Sequence, residues 1–358
     1  MRKIISVILY VVAAVVIVSY ILGSVCPYIS PQSTTLLAYF GLAYPAVWCA
    51  MVAILIVSLS TRHWKLSVLI TIMLIASFSQ WRNTIVAHPV VKKRVEGKEL
   101  KVLTYNVGMF NVNKDLDAFV DFVKETNADV VCLQEFGFYS RAASQNDILQ
   151  QFDKLYPHRH LWYKNQSNSI NSGLATFSRY PIIKKEKIQY ESTTNVSIFS
   201  DIVVSDDTIR VINNHLESYH LNEKERDIIG LLRDSISQDE KINHSRHLEN
   251  KLSYAMKIRA SQAEAIRYTV SKTHHRVVVV GDFNDVAQSY TYRVIAAGLT
   301  DAFSTAGRWG YNWTFHTMPM YFALDHILTS PTIQATEAIV HHIKLSDHYP
   351  LTATFQIK

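Results

Sequence analysis

The residue types that could do chemistry in this sequence lie beside short apolar stretches. The clearest stretch is Val277–Val280, four consecutive β-branched residues that indicate a fully buried strand. Gly281 permits a sharp turn after it, and Asp282 and Asn284 follow. A single polar residue at a strand end is more often a turn former than part of a site. Here, however, the same pattern recurs along the chain, at Asn106, Glu135, His215, Asp282, Asn284, Asp325, Asp347 and His348.

The oxygen donors of this set suit a hard divalent cation. Asn106, Glu135 and Asp347 offer the amide and carboxylate oxygens that Mg²⁺ or Mn²⁺ prefers. The imidazoles of His215 and His348 could act on a phosphate group that such a cation polarises. Zinc is disfavoured because no pair of His or Cys residues has a zinc-ligand spacing on an obvious scaffold, and the sequence has no P-loop or serine elbow.

These residues belong to a stretch that alternates short predicted strands with a few predicted helices. Strands are predicted over 100–105, 129–133, 173–177, 197–204, 209–213, 277–280, 324–328 and 351–356. Helices are predicted over 116–125, 221–254 and 257–270. Residues 98–358 are enough for one domain with a two-layer core.

Charge in this domain does not favour non-specific binding to nucleic acid. The whole chain has a formal net charge of +6, but residues 99–358 contain 29 acidic and 27 basic side chains. Proteins that bind nucleic acid through its phosphates usually have a basic surface. A local basic patch stays open.

The first 81 residues have a different composition from the rest. They contain no Asp or Glu and only four Lys or Arg. Apolar runs cover 4–25, 36–59 and 64–81; the first two are long enough to span a bilayer and the third is marginal. A cleaved signal peptide is the alternative for the first run, but that run is long and has no obvious cleavage site. We expect a membrane anchor of about three transmembrane helices in residues 1–81, which contacts the lipid bilayer.

Basic residues near the apolar runs predict the orientation of this anchor. The amino terminus and the second loop carry Arg2, Lys3, Arg62 and Lys65, whereas the first loop, residues 26–35, carries no charge. Because cytoplasmic loops are richer in Lys and Arg, three crossings place the large domain on the external or periplasmic side of an inner or plasma membrane. Two crossings would leave it in the cytoplasm.

A basic juxtamembrane linker is expected to join the anchor to the domain over residues 82–97. The three predicted units are therefore the anchor, this linker and the catalytic domain, 98–358. No obligate protein partner is inferred.

The order of six short motifs in the domain resembles that of the endonuclease/exonuclease/phosphatase superfamily. The motifs are Thr104-Tyr105-Asn106, Leu133-Gln134-Glu135, Asn214-His215-Leu216, Gly281-Asp282-Phe283-Asn284, Leu324-Asp325-His326-Ile327 and Ser346-Asp347-His348-Tyr349-Pro350. That family includes deoxyribonucleases, abasic-site endonucleases, neutral sphingomyelinases and inositol-polyphosphate phosphatases. The resemblance implies an α/β (α+β) four-layer sandwich, with two packed, mostly antiparallel β-sheets flanked by helices, here preceded by transmembrane helices.

The resemblance also implies which residues hold a metal ion and which contact the phosphate. Glu135 corresponds to the principal metal carboxylate, with Asn106 and Asp347 close to the ion, which would be Mg²⁺ or Mn²⁺. His348 resembles the histidine that contacts the phosphate or helps to activate water, and Asp325 would orient it.

Three further catalytic residues are implied by the same motifs. Asp282 would activate or position the attacking water, and Asn284 would hold that water or a phosphate oxygen. His215 resembles a second histidine that some members use at the phosphate or the leaving group.

The substrate is expected to be a phosphate ester: a phospholipid, a nucleic acid or a small phosphodiester. The aromatic residues Trp309, Trp313, Phe315 and Tyr321 precede the Asp325 strand, in a loop that the family often places beside the site. Trp313 is a candidate substrate contact, although these rings could instead simply pack the loop. Membrane tethering favours a phospholipid or an envelope-side phosphodiester. A membrane-tethered nuclease acting on DNA or RNA stays an alternative, as does a catalytically silent binding or sensing protein with the same fold.

Overall fold

The computed structural model describes most of the chain. The described residues are 2–86, 97–110, 115–137, 143–163, 172–190, 192, 195–221, 225, 238–317 and 321–357. Most of the predicted linker, residues 87–96, lies outside them. So do residues 222–224 and 226–237 of the stretch that was predicted to be helical from 221 to 254.

The N-terminal region consists of apolar helices: α1 (Arg2–Val25), α2 (Leu36–Ser60), α3 (Trp64–Ala76) and the single turn α4 (Phe78–Trp81). Two of them, α1 and α2, are long and apolar enough to cross a membrane by length and composition. The third predicted span is divided between α3 and α4, and the 13 residues of α3 are short of the roughly 20 that a spanning helix needs. Large apolar side chains stay exposed on the outer faces of α1, α2 and α3.

Two six-stranded sheets, a two-stranded sheet of β1 and β11, and their flanking helices form the rest of the described structure. The strands are β1 (Ile85–Val86), β2 (Lys98–Asn106), β3 (Val130–Gln134), β4 (His158–Tyr163), β5 (Gly173–Ser178), β6 (Ile182–Lys187), β7 (Val196–Val204), β8 (Asp207–His215), β9 (Arg276–Asp282), β10 (Thr300–Asp301), β11 (Gly310–Tyr311), β12 (Asp325–Thr329), β13 (Gln334–Val340) and β14 (Leu351–Ile357). The helices are α5 (Leu116–Thr126), α6 (Ala143–Leu155), α7 (Gln238–Ser271), α8 (Tyr290–Ala296) and α9 (Ala302–Ala306).

The strand order explains why the sheets are mixed. The first sheet runs β13-β14-β2-β3-β5-β4 and the second β10-β12-β9-β8-β7-β6. Each contains one parallel pair, β2–β3 or β8–β9, among antiparallel pairs. The strands bury Val and Ile side chains between the sheets, α5 and α6 pack against the outer face of the first sheet, and α7 and α8 pack against that of the second. The predicted four-layer sandwich of mostly antiparallel sheets is confirmed.

Several elements differ from the sequence-based expectations. The two helices predicted on either side of residue 255 are one helix, α7, which continues through the buried residues Ala255 and Met256. Strands β4, β6 and β13 were not predicted, and all three lie at sheet edges. Edge strands face solvent and carry charged side chains, as Lys184–Lys187 does in β6, so they lack a continuous apolar signal.

The N-terminal helices pack directly on the sandwich. The short strand β1, which follows α4, pairs with β11. The loop between α1 and α2 contacts α7, where Gln32 Nε2 donates to the Lys257 carbonyl at 2.7 Å. Gln288, just before α8, donates from Nε2 to the Thr84 hydroxyl at 2.8 Å. The connection between α1 and α2 and the segment after α4 therefore lie on the same side, against the domain.

Candidate active site

The topology brings the polar strand ends together at one end of the sandwich. Strands β2 and β3 are parallel and finish side by side, so Asn106 pairs with Gln134 and Glu135 comes next. In the second sheet, β8 and β9 are parallel, and His215 pairs with Asp282. Strand β12 begins at Asp325, directly opposite Asp282. The parallel pair of each sheet therefore contributes its carboxyl-terminal ends to the same site, and the antiparallel strand β12 contributes its first residue.

Asn106 and His215 connect the carboxylates of the two sheets. Asn106 Nδ2 donates to Asp282 Oδ2 at 3.0 Å and lies 3.3 Å from Glu135 Oε1. His215 Nε2 lies 3.5 Å from Glu135 Oε1 and 3.8 Å from Asp282 Oδ2. His215 Nε2 forms no hydrogen bond of good geometry with any described residue. Burial lowers the pKa of His215, although the charge of Asp282 acts in the opposite direction, so the ring is neutral near pH 7.

His348 and Asp325 form a buried hydrogen-bonded pair. His348 Nδ1 lies 2.7 Å from Asp325 Oδ2, and His348 Nε2 lies 3.7 Å from Asp282 Oδ2. Burial alone would lower the pKa of His348, but the charges of Asp325 and Asp282 outweigh that effect and raise it to about 10. At neutral pH the ring is therefore an imidazolium that directs its second N–H towards the site.

Oxygen donors on the first sheet fit a hard divalent cation. Glu135, Asn106 and Asp347 line the same cavity. Burial raises the pKa of Glu135, and the nearby negative charge of Asp347 raises it further. Glu135, whose ionisation is disfavoured by burial and by the charge of Asp347, and Asp347 itself are carboxylates that a bound Mg²⁺ or Mn²⁺ would satisfy. Asn106 directs Nδ2 towards Glu135, and its Oδ1 accepts from the Gly108 N–H at 3.0 Å, so its role at the ion stays a prediction.

A second group of possible ligand atoms belongs to Asp282, Asp325 and His348, which lie within 4.8 Å of one another. The short hydrogen bond between His348 and Asp325 already occupies one atom of each. We therefore interpret this group as one that holds and moves protons.

Backbone geometry fixes two of the site residues in an unusual conformation. Glu135 has φ +51° and Asn284 has φ +50°, in the left-handed region that non-glycine residues rarely adopt. The backbone N–H of Asn284 donates to Asp282 Oδ1 at 2.8 Å, and its Nδ2 donates to the Leu216 carbonyl at 2.9 Å. The turn after β9 is thus held by its own side chains, and Asn284 is tied to the segment that follows β8.

A cavity of about 190 Å³ opens over these residues. Its polar end contains Asn106, Glu135, Asp282, Asn284, Asp347 and His348. Its other wall contains Leu42, Leu248, Leu252, Phe315, Phe322 and Leu324, which we call the apolar wall. Sequence reasoning proposed only Phe315 among these wall residues as a substrate contact, because the others come from three separate segments and are ordinary apolar residues there.

The structure places Trp313 in a different environment from the one predicted. Its ring packs against Tyr311, Tyr321 and His342, with ring centroids 5.5 to 6.3 Å apart. Among the described residues that line the cavity, the aromatic ones are Tyr219, Phe315 and Phe322. A role for Trp313 in substrate binding stays a prediction that these contacts do not favour.

Helix α7 supports the site from behind. The buried Arg259 donates from Nη1 to the Glu217 carbonyl at 2.7 Å, and its Nε lies 3.3 Å from Asp285 Oδ2. Gln262, one turn further on, accepts from the Glu217 N–H at 2.9 Å. These contacts fix the chain just after His215. Neither residue was predicted to belong to the site, because Arg259 and Gln262 are ordinary polar residues in a charged helix.

Two mixed sheets with carboxylates and histidines gathered at one end define the class of four-layer sandwiches that includes metal-dependent phosphoesterases. The chain belongs to the Endonuclease/Exonuclease/phosphatase family, whose model matches residues 103–348. Residues 2–84 match a separate model, described as a domain of unknown function (DUF8431). No match was found among curated proteins.

Solved structures share the fold at low sequence identity. An endonuclease/exonuclease/phosphatase from Beutenbergia cavernae is 13% identical with a TM-score of 0.50, covering 73% of this chain and 72% of that one. A family protein from Leptotrichia buccalis is 16% identical with a TM-score of 0.50, covering 72% and 100%. TDP2 from D. rerio, complexed with a single-strand DNA product, is 14% identical with a TM-score of 0.51, covering 72% and 99%. These structures establish the shared fold of the domain.

Proposed function

We propose that this protein is a membrane-anchored, divalent-metal-dependent phosphodiesterase that hydrolyses a phosphate ester by in-line attack of water. The observation that carries the proposal is the meeting of both sheets at one end, where Asn106 bridges Glu135 and Asp282 and where His348 pairs with Asp325 at 2.7 Å. Phosphodiester hydrolysis needs an aimed water, positive charge at the phosphate oxygens and a proton for the leaving oxygen.

The metal site would be formed by Glu135 with Asn106 and Asp347. A bound Mg²⁺ or Mn²⁺ would neutralise charge on the phosphate oxygens. The pKa of Glu135 is raised because its partly buried carboxylate loses solvation and lies near the charge of Asp347, so a cation is the natural partner of both. Removal of either carboxylate should weaken metal binding.

The remaining residues would position the phosphate and transfer protons. The imidazolium of His348 donates from Nε2 to a phosphate oxygen, and Asp325 keeps it charged. Asp282 accepts the proton of the attacking water, since burial raises the pKa of its carboxyl and makes it a better base than an exposed aspartate. Asn284 orients that water, and the neutral His215 contacts the phosphate or the leaving oxygen.

Membrane anchoring is the second part of the proposal. It is supported by two helices of spanning length, by the exposed apolar side chains of α1, α2 and α3, and by their packing on the domain. A third crossing is part of the proposal. It would need α3 and α4 together, over residues 64–81, because α3 alone is too short to span. The basic residues at the end of the helices remote from the domain support an external or periplasmic position of the domain.

The proposal is tested by hydrolysis of bis-p-nitrophenyl phosphate by the full-length protein in a membrane mimic, with Mg²⁺, Mn²⁺ or EDTA. We expect metal-dependent turnover that EDTA abolishes and that His348→Ala lowers by about 10²–10⁴-fold. His275→Ala, an exposed histidine just before β9, is the matched control and should retain activity. Equal turnover in the two variants would contradict the proposal.

A second candidate is a nuclease, favoured by the structural likeness to TDP2 complexed with a single-strand DNA product. The same assay with a single-stranded oligonucleotide separates it from the first. Preferential cleavage of the oligonucleotide would assign the protein to that class.

A further inference from the structure

The cavity above the site has two chemically different ends. The polar end carries the carboxylates and His348, and the apolar wall comes from α2, α7 and the segment between β11 and β12. The wall begins beside the polar end, where the rings of Phe315 and His348 have centroids 5.1 Å apart. Leu248 and Leu252 lie one turn apart on the same face of α7. Phe315 and Phe322 pair through their backbones, and both pack in one apolar cluster with Leu42. A phosphate bound by His348 would thus lie close to the ring of Phe315, where the apolar wall begins.

The size of the cavity exceeds what a metal ion and a phosphate need. A single water needs roughly 10–15 Å³ of cavity volume, whereas this cavity has a volume of about 190 Å³. Among its described lining residues none is Lys or Arg. The carboxylate of Glu225, which also lines it, is held by Lys251 at 2.7 Å. The extra space therefore suits an uncharged chain rather than a further run of phosphates.

Leu42 brings the cavity to the N-terminal helices. It is the seventh residue of α2, about 9 Å from the start of the helix at 1.5 Å per residue. The 25 residues of α2 measure about 37 Å, which exceeds the roughly 30 Å hydrocarbon core of a bilayer. If α2 spans, its first turns, including Leu42, lie at the membrane surface on the side of the domain. The apolar wall is then continuous with the surface of the bilayer.

We propose that the substrate is a phosphodiester that carries a long apolar chain, with the phosphate at the polar end and the chain along the apolar wall. This inference rests on the proposed function. It adds that α2 contributes to substrate binding as well as to anchoring, since Leu42 forms part of the wall. A lipid phosphodiester that stays partly in the membrane has this chemistry, whereas a polynucleotide does not.

The experiment uses alkyl p-nitrophenyl phosphates with methyl, butyl, octyl and dodecyl chains, below their micelle concentrations. The full-length protein in nanodiscs hydrolyses each ester with Mn²⁺, and release of p-nitrophenol is measured. Burying one methylene gains up to about fourfold, so kcat/KM for the dodecyl ester should exceed that for the methyl ester by about tenfold or more.

Wall variants separate binding in the cavity from simple partition of the chain into the nanodisc. Leu252→Ser on α7 and Leu42→Ser on α2 should each lower the dodecyl-to-methyl ratio by about fivefold or more. Ile242→Ser is the matched control, because Ile242 is exposed on the same helix as Leu252 and does not line the cavity. It should keep the ratio of the unaltered protein.

Each outcome bears on the inference. Turnover of all esters with a flat dependence on chain length would overturn the chain site and leave the phosphodiesterase proposal standing. A ratio that survives in both wall variants would assign the effect to the nanodisc and also overturn it. Faster cleavage of a single-stranded oligonucleotide than of the dodecyl ester would favour a nuclease, and no turnover of any substrate would overturn both proposals.

Discussion

At the scale of single residues, the site is organised around the carboxylate of Asp282. Its oxygens accept hydrogen bonds from Asn106 and Asn284, and they lie within 4 Å of the rings of His215 and His348. One buried negative charge is therefore shared among donors from both sheets. Burial raises the pKa of this carboxyl, whereas the charge of His348 and the hydrogen bond from Asn106 act in the opposite direction. The same contacts hold the polar groups of the site in defined positions.

The charge of His348 depends on Asp325, which leads to a direct prediction. Asp325→Asn keeps the size of the side chain but removes the charge that opposes the effect of burial on the pKa of His348. The pKa of His348 should fall, because Asp282 alone then opposes most of the effect of burial, and kcat/KM for bis-p-nitrophenyl phosphate should fall by about 10²–10⁴-fold. Asp121→Asn, an exposed aspartate on α5, is the control. Activity of Asp325→Asn within twofold of that control would contradict the role of Asp325 in keeping His348 charged.

At the scale of elements, the parallel pair β8–β9 and helix α7 determine the geometry of the site. Gly281 has φ +125°, and a Cβ there would lie 2.1 Å from the carbonyl oxygen of Asn214 on the neighbouring strand. Only glycine allows β8 and β9 to approach this closely at the pair that ends in His215 and Asp282. Helix α7 then fixes the chain beyond His215 through Arg259.

Removing Arg259 tests the contribution of α7. Arg259→Met keeps much of the side-chain volume but leaves Asp285 without its buried cation and the Glu217 carbonyl without a donor. Loss of one partner from a buried pair costs about 3–5 kcal/mol, so the unfolding midpoint in denaturant should fall. Arg246→Met, exposed on the same helix, is the control and should unfold as the parent does. Equal midpoints for the two variants would show that Arg259 contributes no net stability.

The elements also show which parts of the fold could be predicted from the sequence. Strands such as β3 and β9 were predictable because they are buried on both faces, and the polar residues at their ends mark the site. The edge strand β6 and the continuity of α7 were not, because solvent exposure and distant packing decide them. The apolar wall could not be predicted, since Leu42 and Leu252 meet only after the whole chain has folded.

At the scale of the whole molecule, the N-terminal helices have two distinct ends. At one end the hydroxyl of Tyr10 lies 3.4 Å from His63 Nδ1, so the first turns of α1 lie beside the loop between α2 and α3. At the other end the loop between α1 and α2 contacts α7 of the domain, through Gln32. The basic residues of the anchor belong to the first end and the domain lies at the second.

This geometry predicts that the domain and the loop between α2 and α3 face opposite sides of the membrane. In a variant without native cysteines, Asp206→Cys in the exposed turn between β7 and β8 should react with a membrane-impermeant maleimide from outside sealed, right-side-out vesicles. Thr61→Cys, just after α2, should react only after the vesicles are opened. Labelling of both cysteines before opening, or of Thr61→Cys alone, would contradict the orientation.

The central claim, a metal-dependent phosphodiesterase with Glu135 at the metal, is tested most directly by one titration. Turnover of bis-p-nitrophenyl phosphate by the full-length protein is measured against Mn²⁺ concentration, for the parent and for Glu135→Gln. We predict saturable activation of the parent, and in Glu135→Gln a need for at least about tenfold more Mn²⁺ together with a lower maximum. Superimposable curves would remove Glu135 from the metal site. Absence of turnover in the parent at every concentration would contradict the phosphodiesterase itself and favour a silent binding protein with this fold.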